Sequence, residues 1–242
     1  MKGALRLIYP PQCLGCGNAV AEDAGLCPAC WAEAEFVGSC ACSRCGAPLP
    51  DDGTGTEDEA VLICDDCLRQ ARPWSRGRAA LVYRGTGRKL ALMLKHGDRL
   101  DLAPALGDWV ARAATPLIRP DMVVVPVPVH LRRLARRKYN QAALLSHAVA
   151  RAHGLTHLPH ALRRLRHTPT QDHGSVEDRF RNVAGAIAVA PRFASRLQGR
   201  AVLLVDDVMA SGATLAEAAE ALRRAGAGPV SVVVLARAVK DT

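Results

Sequence analysis

The chain has 242 residues, enough for one or two domains, and its 49% hydrophobic and 23% charged residues are typical of a globular rather than a disordered protein. The net charge of +9 is uneven, because residues 1–72 carry five basic and eleven acidic side chains whereas residues 73–242 carry 27 basic and 12 acidic ones. No apolar run approaches the ~20 residues needed to span a bilayer, and residues 1–12 lack the apolar core of a secretory signal, so we expect a cytoplasmic protein.

The first predicted unit is a cysteine-rich segment over residues 1–72. All nine cysteines precede residue 68, and eight of them form C-x-x-C pairs. Two thiolates at this spacing can bind one tetrahedral ion, and a second pair completes the shell. Sequential pairing closes the shorter loops. It predicts two structural zinc sites, the first made by Cys13, Cys16, Cys27 and Cys30 and the second by Cys42, Cys45, Cys64 and Cys67.

Other arrangements of these cysteines compete with this interpretation. Interleaved pairing of the C-x-x-C units gives the same number of sites, and a disulfide framework would use the same residues, although a reducing cytosol disfavours it. The segment has few large apolar residues, so bound metal would supply much of its stability. Cys40 is left over, either as a spare thiol or as a replacement ligand, and residues 51–60 form an acidic loop inside the second unit.

From residue 79 onward, short apolar runs alternate with amphipathic segments. Strands are predicted at 79–83, 122–127, 183–189, 201–206 and 230–236, and helices at 88–96, 102–114, 140–153 and 214–225. This alternation predicts an α/β domain over residues 73–242, with a parallel sheet flanked by helices. Ligands of such sheets bind at the carboxyl ends of the strands.

The end of the strand at 201–206 has the most specific pattern in the chain. Two adjacent carboxylates precede a loop of small residues and the start of a helix, whose free N–H groups suit a phosphate. Carboxylates accept hydrogen bonds, so they suit vicinal sugar hydroxyls or a magnesium ion. Together these groups indicate a site for a ribose 5-phosphate. The candidate residues are Asp206, Asp207, Val208, Met209, Ala210, Ser211, Gly212, Ala213 and Thr214.

Three other interpretations of this pattern exist. A receiver domain also has an apolar strand that ends in two aspartates, but its acidic pair usually lies near the start of the domain and lacks the Ser-Gly-x-Thr loop. A Walker-B strand would require a G-x-x-x-x-G-K-[ST] loop, which the sequence does not contain. The third interpretation is a buried strand followed by a capped helix, with an aspartate pair that has no function. Mutual repulsion and desolvation of two adjacent carboxylates are costly, which argues against it.

A second group of candidate residues follows the strand at 122–127. There two prolines interrupt the strand and several cations follow, so the loop is a candidate pyrophosphate site. A solvated basic helix is the alternative. The candidate residues are Pro126, Val127, Arg132 and Arg137.

The acidic pair and its loop closely resemble the phosphoribosyl-pyrophosphate (PRPP) motif of type I phosphoribosyltransferases. The whole chain resembles the ComF family, which joins a doubled cysteine ribbon to such a domain. The family's Val-Pro-Val-Pro-x-His segment matches Val125–His130, and its Arg-Gly-Phe/Tyr-Asn-Gln signature matches residues 137–141 with Lys138 in place of glycine. Ala210 and Ser211 stand where two threonines are common. A mobile loop over the site would contain Thr170, Gln171, Arg179, Arg181 and Asn182.

The resemblance implies that the acidic pair holds the ribose 2- and 3-hydroxyls and that the loop holds the 5-phosphate. It implies zinc in the ribbons, Mg²⁺ bound with PRPP, and phosphoribosyl transfer that supports DNA uptake in natural competence. Single-stranded DNA and a DNA-uptake helicase are the implied partners. The alternative is a non-catalytic protein that senses PRPP or binds single-stranded DNA. The sequence identifies neither the base for an incoming nucleophile nor the oligomeric state.

Overall fold

The structure is a computed structural model that describes residues 10–50, 62–96, 99–131, 134–135, 138–166, 168 and 175–239. The acidic loop expected at 51–60 lies outside these ranges. Within the described ranges, no helix combines the length and apolarity needed to cross a membrane.

Two similar cysteine units form the N-terminal part of the protein. In each unit the first C-x-x-C pair lies in a tight turn closed by an equivalent backbone hydrogen bond, 2.7 Å long, donated by Cys13 in one unit and by Cys42 in the other. The second pair flanks the start of a short helix, α1 over Pro28–Ala32 or α2 over Asp65–Arg69, and a cysteine is the N-cap residue of each. The repeat in the sequence therefore corresponds to a repeat in the structure.

The remainder of the chain is built on a five-stranded sheet in which every neighbouring pair is parallel. Its strands are β1 (Arg76–Val82), β2 (Val123–Pro126), β3 (Thr156–His157), β6 (Val202–Met209) and β7 (Val230–Arg237). The spatial order is β1-β7-β6-β2-β3. Two further strands, β4 (Leu162–Arg164) and β5 (Ile187–Val189), form a separate antiparallel pair.

Helices connect these strands, as the alternating pattern predicts. They are α3 (Gly85–His96), α4 (Ala103–Ala114), α5 (Gln141–His153), α6 (Val176–Val183), α7 (Ala194–Leu197) and α8 (Ala213–Arg224). Three 3-10 turns lie at Leu100–Leu102, Thr115–Leu117 and Pro191–Phe193. Gly154 ends α5 in the left-handed conformation, with φ of 64°, as the sequence predicts for a glycine at that position.

The central strands are buried on both faces because their successive side chains enter opposite cores. Val123 belongs to the core that contains Leu215 of α8. The next residue, Val124, belongs to the core that contains Leu106 of α4 and Leu145 of α5. This arrangement confirms the predicted parallel sheet flanked by helices.

The strand predicted at 183–189 is wrong in its first part, because α6 continues to Val183 and only Ile187–Val189 is strand. The helix forms because Ser175 and Asp178 make a capping box, in which each side chain accepts a hydrogen bond from the other residue's backbone N–H. The sequence contains this signal, but the short helix lacks a long apolar stripe.

The strand predicted at 201–206 is too short, because β6 continues to Met209. Its extra residues pair with β7, where Val208 is in register with Ala236 and Met209 with Arg237. The carboxylates therefore belong to the strand itself rather than to the loop beyond it.

The cysteine units pack directly against the sheet. Residues 35–37 run antiparallel to the end of β1, where the N–H of Val37 donates to the carbonyl of Ala80 at 3.0 Å and the N–H of Val82 donates to that of Glu35 at 2.8 Å. Aromatic contacts extend this interface, since the ring of Phe36 lies 5.1 Å from that of Trp109 in α4. The two cysteine units and the residues up to the start of the sheet, 10–50 and 62–75, are called the ribbon part below. The ribbon part and the sheet thus share backbone hydrogen bonds as well as side-chain packing.

Candidate functional site

The two groups of candidate residues meet at the carboxyl ends of β2 and β6. Pro126 is the last residue of β2 and is in register with Val205, which directly precedes Asp206. The next residue, Val127, donates its N–H to the carbonyl of Val205 at 2.9 Å. Because both strands run in the same direction, the structure brings the proline-containing loop and the acidic pair to one edge of the sheet.

The acidic pair is organised by local hydrogen bonds. One carboxylate oxygen of Asp206 accepts the backbone N–H of Asp207 at 2.9 Å, and one oxygen of Asp207 accepts the N–H of Val208 at 2.8 Å. Burial and the neighbouring Asp207 raise the pKa of Asp206 well above its ordinary value, and the positive charge of Lys95 acts in the opposite direction. Lys95, in α3, is a member of the site that sequence reasoning missed, because it is distant in the chain from both motifs.

Met209, the last residue of β6, and residues 210–212 form the loop that leads to α8, called the 209–212 loop below. Gly212 is the N-cap of α8 with φ of 80°, a conformation that suits glycine. The N–H groups of Ala210, Ser211 and Gly212 donate to no acceptor among the described residues. The N–H of Ala213 makes a long contact of 3.4 Å with the Ser211 hydroxyl oxygen. Together with the orphan donors of the first turn of α8, these N–H groups can bind an anion.

Two arginines bind the carbonyl groups of the same loop. Nη1 of Arg237, a side chain that is only 3% exposed, donates to the carbonyl oxygens of Met209 at 3.2 Å and Ala210 at 2.8 Å, and also to that of Ala238. Nη1 of Arg72 donates to the carbonyl of Ser211 at 2.6 Å. Neither arginine was predicted for the site, since one precedes the sheet and the other lies in its last strand.

The segment before α5 carries the signature in which Lys138 replaces glycine. Lys138 has φ of 64°, so the lysine adopts the left-handed conformation that a glycine would adopt easily. The hydroxyl of Tyr139 donates to the carbonyl of Leu94 at 2.8 Å, and the side chain of Gln141 donates to that of Lys95 at 3.3 Å. Both bonds fix the end of α3, which carries Lys95 into the site.

Asn140 completes this signature and has a structural role at two points. Its amide nitrogen donates to the carbonyl of Val127 at 3.0 Å, and its oxygen caps α5 by accepting the N–H of Ala142 at 3.1 Å. The signature therefore connects the loop after β2 to the helix that follows it.

Several candidate residues have no structural description here. Arg132, Arg137, Thr170 and Gln171 lie outside the described residues. Of the expected mobile loop, Arg179, Arg181 and Asn182 lie in α6, where Arg181 pairs with Asp178. A cavity of about 550 Å³ lies between this helix and the end of the ribbon part, lined by Gln70, Glu177, Phe180 and Arg181.

The eight paired cysteines form two clusters with the membership that sequential pairing predicts. In each cluster the four sulfur atoms lie within 4.8 Å of one another, and their chemistry is that of a closed structural zinc site. Burial acts to raise the pKa of the Cys13 thiol, but hydrogen bonds from backbone N–H groups, including that of Cys27, outweigh burial and lower this pKa to about 6. For Cys30, burial dominates and raises the pKa of the thiol to about 12. Cys40 belongs to neither cluster, and its thiol donates to the carbonyl of Pro50 at 3.3 Å.

The two clusters differ in their surroundings. Cys42, Cys45 and Cys67 of the second cluster belong to the core that contains α8 and one face of the sheet. The buried cysteines of the first cluster form a small separate core with Val20 and Leu26. The second cluster is therefore part of the main fold, and the first is peripheral to it.

This combination of a parallel sheet, a small-residue loop after an acidic strand and two four-cysteine clusters defines a phosphoribosyltransferase-fold protein with a double zinc ribbon. Residues 4–68 match the double zinc ribbon domain, and residues 152–242 match the phosphoribosyl transferase domain. The chain belongs to the ComF family, as its relatives show.

The DNA utilization protein YhgH of Salmonella typhi is 33% identical over 231 residues, which cover 93% of this chain and 89% of that protein. Competence protein F of Haemophilus influenzae is 29% identical over 233 residues, which cover 94% of this chain and 97% of that protein. Among solved structures, the allosteric regulatory enzyme of purine biosynthesis aligns with 60% of this chain and 30% of its own, at 20% identity and a TM-score of 0.41. The curated relatives confirm the expected family, and the domain matches together with the parallel sheet confirm the expected fold class.

Proposed function

We propose that this protein binds PRPP together with Mg²⁺ and transfers the phosphoribosyl group to a nucleophile. The observation that carries the proposal is the 209–212 loop, whose three consecutive N–H groups lack partners among the described residues, directly after two carboxylates. Bare N–H groups suit a phosphate, and carboxylates suit the hydroxyls of the attached sugar. One PRPP molecule presents both kinds of group.

Each group of candidate residues has a role in this proposal. Asp206 and Asp207 would accept hydrogen bonds from the ribose hydroxyls or bind Mg²⁺, whose preferred ligands are such oxygens. Residues 208–214 would hold the 5-phosphate. Pro126 and Val127, at the end of the neighbouring strand, would face the pyrophosphate, with Arg132 and Arg137 as its cationic partners.

The proposed reaction is a displacement at the anomeric carbon of the ribose. The bond from this carbon to a pyrophosphate oxygen breaks, the nucleophile supplies the electron pair of the new bond, and pyrophosphate leaves with the electrons of the old one. Positive charge builds on the ring as the leaving group departs, and the carboxylates of the acidic pair stabilise it. Bound Mg²⁺ supplies neutralisation of charge on the leaving pyrophosphate.

Calorimetric titration of the protein with PRPP in the presence of Mg²⁺ tests the binding step. We expect saturable binding by the wild-type protein and no measurable binding by the Asp206→Asn, Asp207→Asn double variant. Asp121→Asn is the matched control, because Asp121 is exposed, contacts Arg119 at 3.8 Å and precedes the amino end of β2, whereas the site lies at the carboxyl end of that strand. Equal binding by the double variant and the wild type would refute the assignment.

A screen for pyrophosphate release tests the transfer step. Nucleobases, ammonia and amines are each supplied with PRPP, and release that depends on one acceptor identifies the reaction. PRPP binding without release by any acceptor would favour the second candidate, a non-catalytic protein that senses PRPP.

A role in DNA handling is part of the same proposal. Its support is the net positive charge of residues 73–242 and the names of the relatives, a DNA utilization protein and a competence protein. If the basic part binds single-stranded DNA, affinity should fall steeply as salt increases, because bound phosphates release counterions. A flat salt response would remove this role, and pull-down of a DNA-uptake helicase tests the protein partner.

A further inference from the structure

The two arginines fix the direction of every peptide group in the 209–212 loop. Arg237 binds the carbonyls of Met209 and Ala210, and Arg72 binds that of Ser211. In a planar trans peptide the carbonyl of one residue and the N–H of the next point in opposite directions. The N–H group of each of residues 210, 211 and 212 therefore points away from the guanidinium group that binds the preceding carbonyl.

This arrangement is preset before any ligand binds. The carbonyl of Met209 also accepts the backbone N–H of Ala238 at 2.9 Å, so the sheet holds it as well. Without the arginines, the peptide groups that follow Ala210 and Ser211 could rotate and present a carbonyl oxygen, which repels a phosphate. Consecutive N–H groups whose orientation is already fixed need little further ordering to bind an anion. The guanidinium of Arg72 stacks on Trp74, with its central carbon 5.6 Å from the ring centroid, so its own position is restrained.

Both arginines also connect to the second cysteine cluster. Arg237 lies 4.0 Å from the carboxylate of Asp66, the residue directly before Cys67. The ring of Trp74, on which Arg72 lies, donates its indole N–H to the carbonyl of Arg44 at 2.6 Å, and Arg44 stands between the ligands Cys42 and Cys45. Each arginine thus joins a carbonyl of the loop to residues that adjoin ligands of the second cluster.

We propose that Arg72 and Arg237 are positioning residues through which the second cysteine cluster sets the affinity of the 209–212 loop for phosphate. This inference rests on the proposed binding of PRPP at that loop. It assigns the ribbon part a direct role in the ligand site, beyond a structural role in its own fold. Among the described residues, the buried cysteines of the first cluster lie in a separate small core that contains neither arginine, so we expect no such effect from the first cluster.

The first test compares PRPP binding by zinc-loaded wild type with that by Arg72→Gln. Without the hydrogen bond to the carbonyl of Ser211 the loop must be ordered when PRPP binds, so we expect PRPP binding about tenfold weaker. Arg69→Gln is the matched control, because it removes the same charge from an exposed side chain three residues away. Arg72→Lys keeps the charge and one donor, and should restore part of the affinity.

The second test uses the reciprocity of linked binding, since a metal that tightens PRPP binding must itself be tightened by PRPP. Zinc affinity is measured at equilibrium by competition with a colorimetric chelator, with and without PRPP. We expect PRPP to raise the affinity for one of the two zinc ions in the wild type and in Arg69→Gln, and for neither in Arg72→Gln. An equal rise for both ions, or a rise for neither in the wild type when PRPP binds, would overturn the inference.

The third test separates this inference from the proposed function. Backbone amide NMR signals of residues 210–212 should shift in Arg72→Gln and stay unchanged in Arg69→Gln, without any ligand. If the wild type fails to bind PRPP, the proposed function fails and these signals still decide whether Arg72 orients the loop. Unchanged signals overturn the positioning role, and if Arg72→Gln does not fold, Arg72→Lys is measured in its place with a smaller shift expected.

Discussion

Trp74 and Arg44 hold each other by two reciprocal hydrogen bonds between side chain and backbone. The indole N–H of Trp74 donates to the carbonyl of Arg44 at 2.6 Å, and the guanidinium of Arg44 donates to the carbonyl of Trp74 at 3.0 Å. Arg44 lies between two ligands of the second cysteine cluster, and Trp74 is only 2% exposed in the core that contains α8. This pair is thus a principal connection between the ribbon part and the sheet.

Replacement of Trp74 by phenylalanine should destabilise the protein by about 1–3 kcal/mol, because it removes the hydrogen bond to the carbonyl of Arg44 and leaves space around a smaller ring in the core. Urea denaturation followed by circular dichroism measures this change. Trp31→Phe is the control, since Trp31 is 58% exposed and a phenylalanine ring can still contact Phe36, so a change below about 0.5 kcal/mol is expected. Equal losses in both variants would contradict the role of the Trp74 hydrogen bond.

Asp206→Asn should stabilise the protein at neutral and alkaline pH while it removes PRPP binding. Burial and Asp207 raise the pKa of Asp206 in the folded protein. At pH values between the ordinary pKa of an aspartate and this raised pKa, Asp206 is protonated in the folded chain and ionised in the unfolded chain. Folding stability contributed by this group therefore falls as pH rises through that window. The measurement is the thermal midpoint against pH.

Asp101→Asn provides a control of opposite sign for this experiment. Hydrogen bonding with Arg99 lowers the pKa of Asp101, so this group stabilises the fold above its ordinary pKa and loses that contribution as pH falls. Asp101→Asn should therefore slightly lower the thermal midpoint of unfolding at neutral pH. A midpoint for Asp206→Asn that stays below that of the wild type at every pH would contradict the electrostatic interpretation.

Lys138→Gly should raise the free energy of unfolding. Lys138 has φ of 64°, a conformation that costs a residue with a Cβ about 1–2 kcal/mol. Part of this gain is offset because glycine is more flexible in the unfolded chain, so the expected net gain is about 0.5–1 kcal/mol. The free energy of unfolding is measured by urea denaturation. Lys138→Ala keeps the Cβ and should show no such gain. An equal gain in both variants would show that the lost charge, and not the backbone conformation, causes the effect.

Metal analysis should give two zinc ions per chain in anaerobically purified protein, as the two four-cysteine clusters indicate. Cys16→Ser and Cys45→Ser should each lose one zinc ion. Cys45 is fully buried in the main core whereas Cys16 is exposed, so Cys45→Ser should also lower the unfolding midpoint of the sheet much further. Similar midpoints for the two variants would show that the clusters contribute equally to the fold.

Local patterns in the sequence predict much of this structure. The C-x-x-C pairs, the buried strand runs and the acidic strand followed by Ser211 and Gly212 each occupy a short segment, and the structure places each as expected. The ends of elements are less predictable. Asp206 and Asp207 resemble a strand terminus in the sequence, yet pairing with β7 extends the strand past them.

Residues that act across the fold could not be predicted in this way. Lys95, Arg72 and Arg237 approach the candidate site from α3, from the end of the ribbon part and from the last strand. Nothing in the neighbouring sequence of each arginine distinguishes it from the other basic residues of an arginine-rich chain. Their roles depend on tertiary packing, which only the structure provides.

The antiparallel contact between residues 35–37 and β1 also has a consequence for solubility. β1 is the outermost strand of the sheet, and without this contact the carbonyl of Ala80 and the N–H of Val82 would be open to pairing with strands of other molecules. The ribbon part thus protects this side of the sheet from aggregation. A fragment that lacks the ribbons, or a chain synthesised under zinc starvation, should therefore precipitate before it loses its secondary structure.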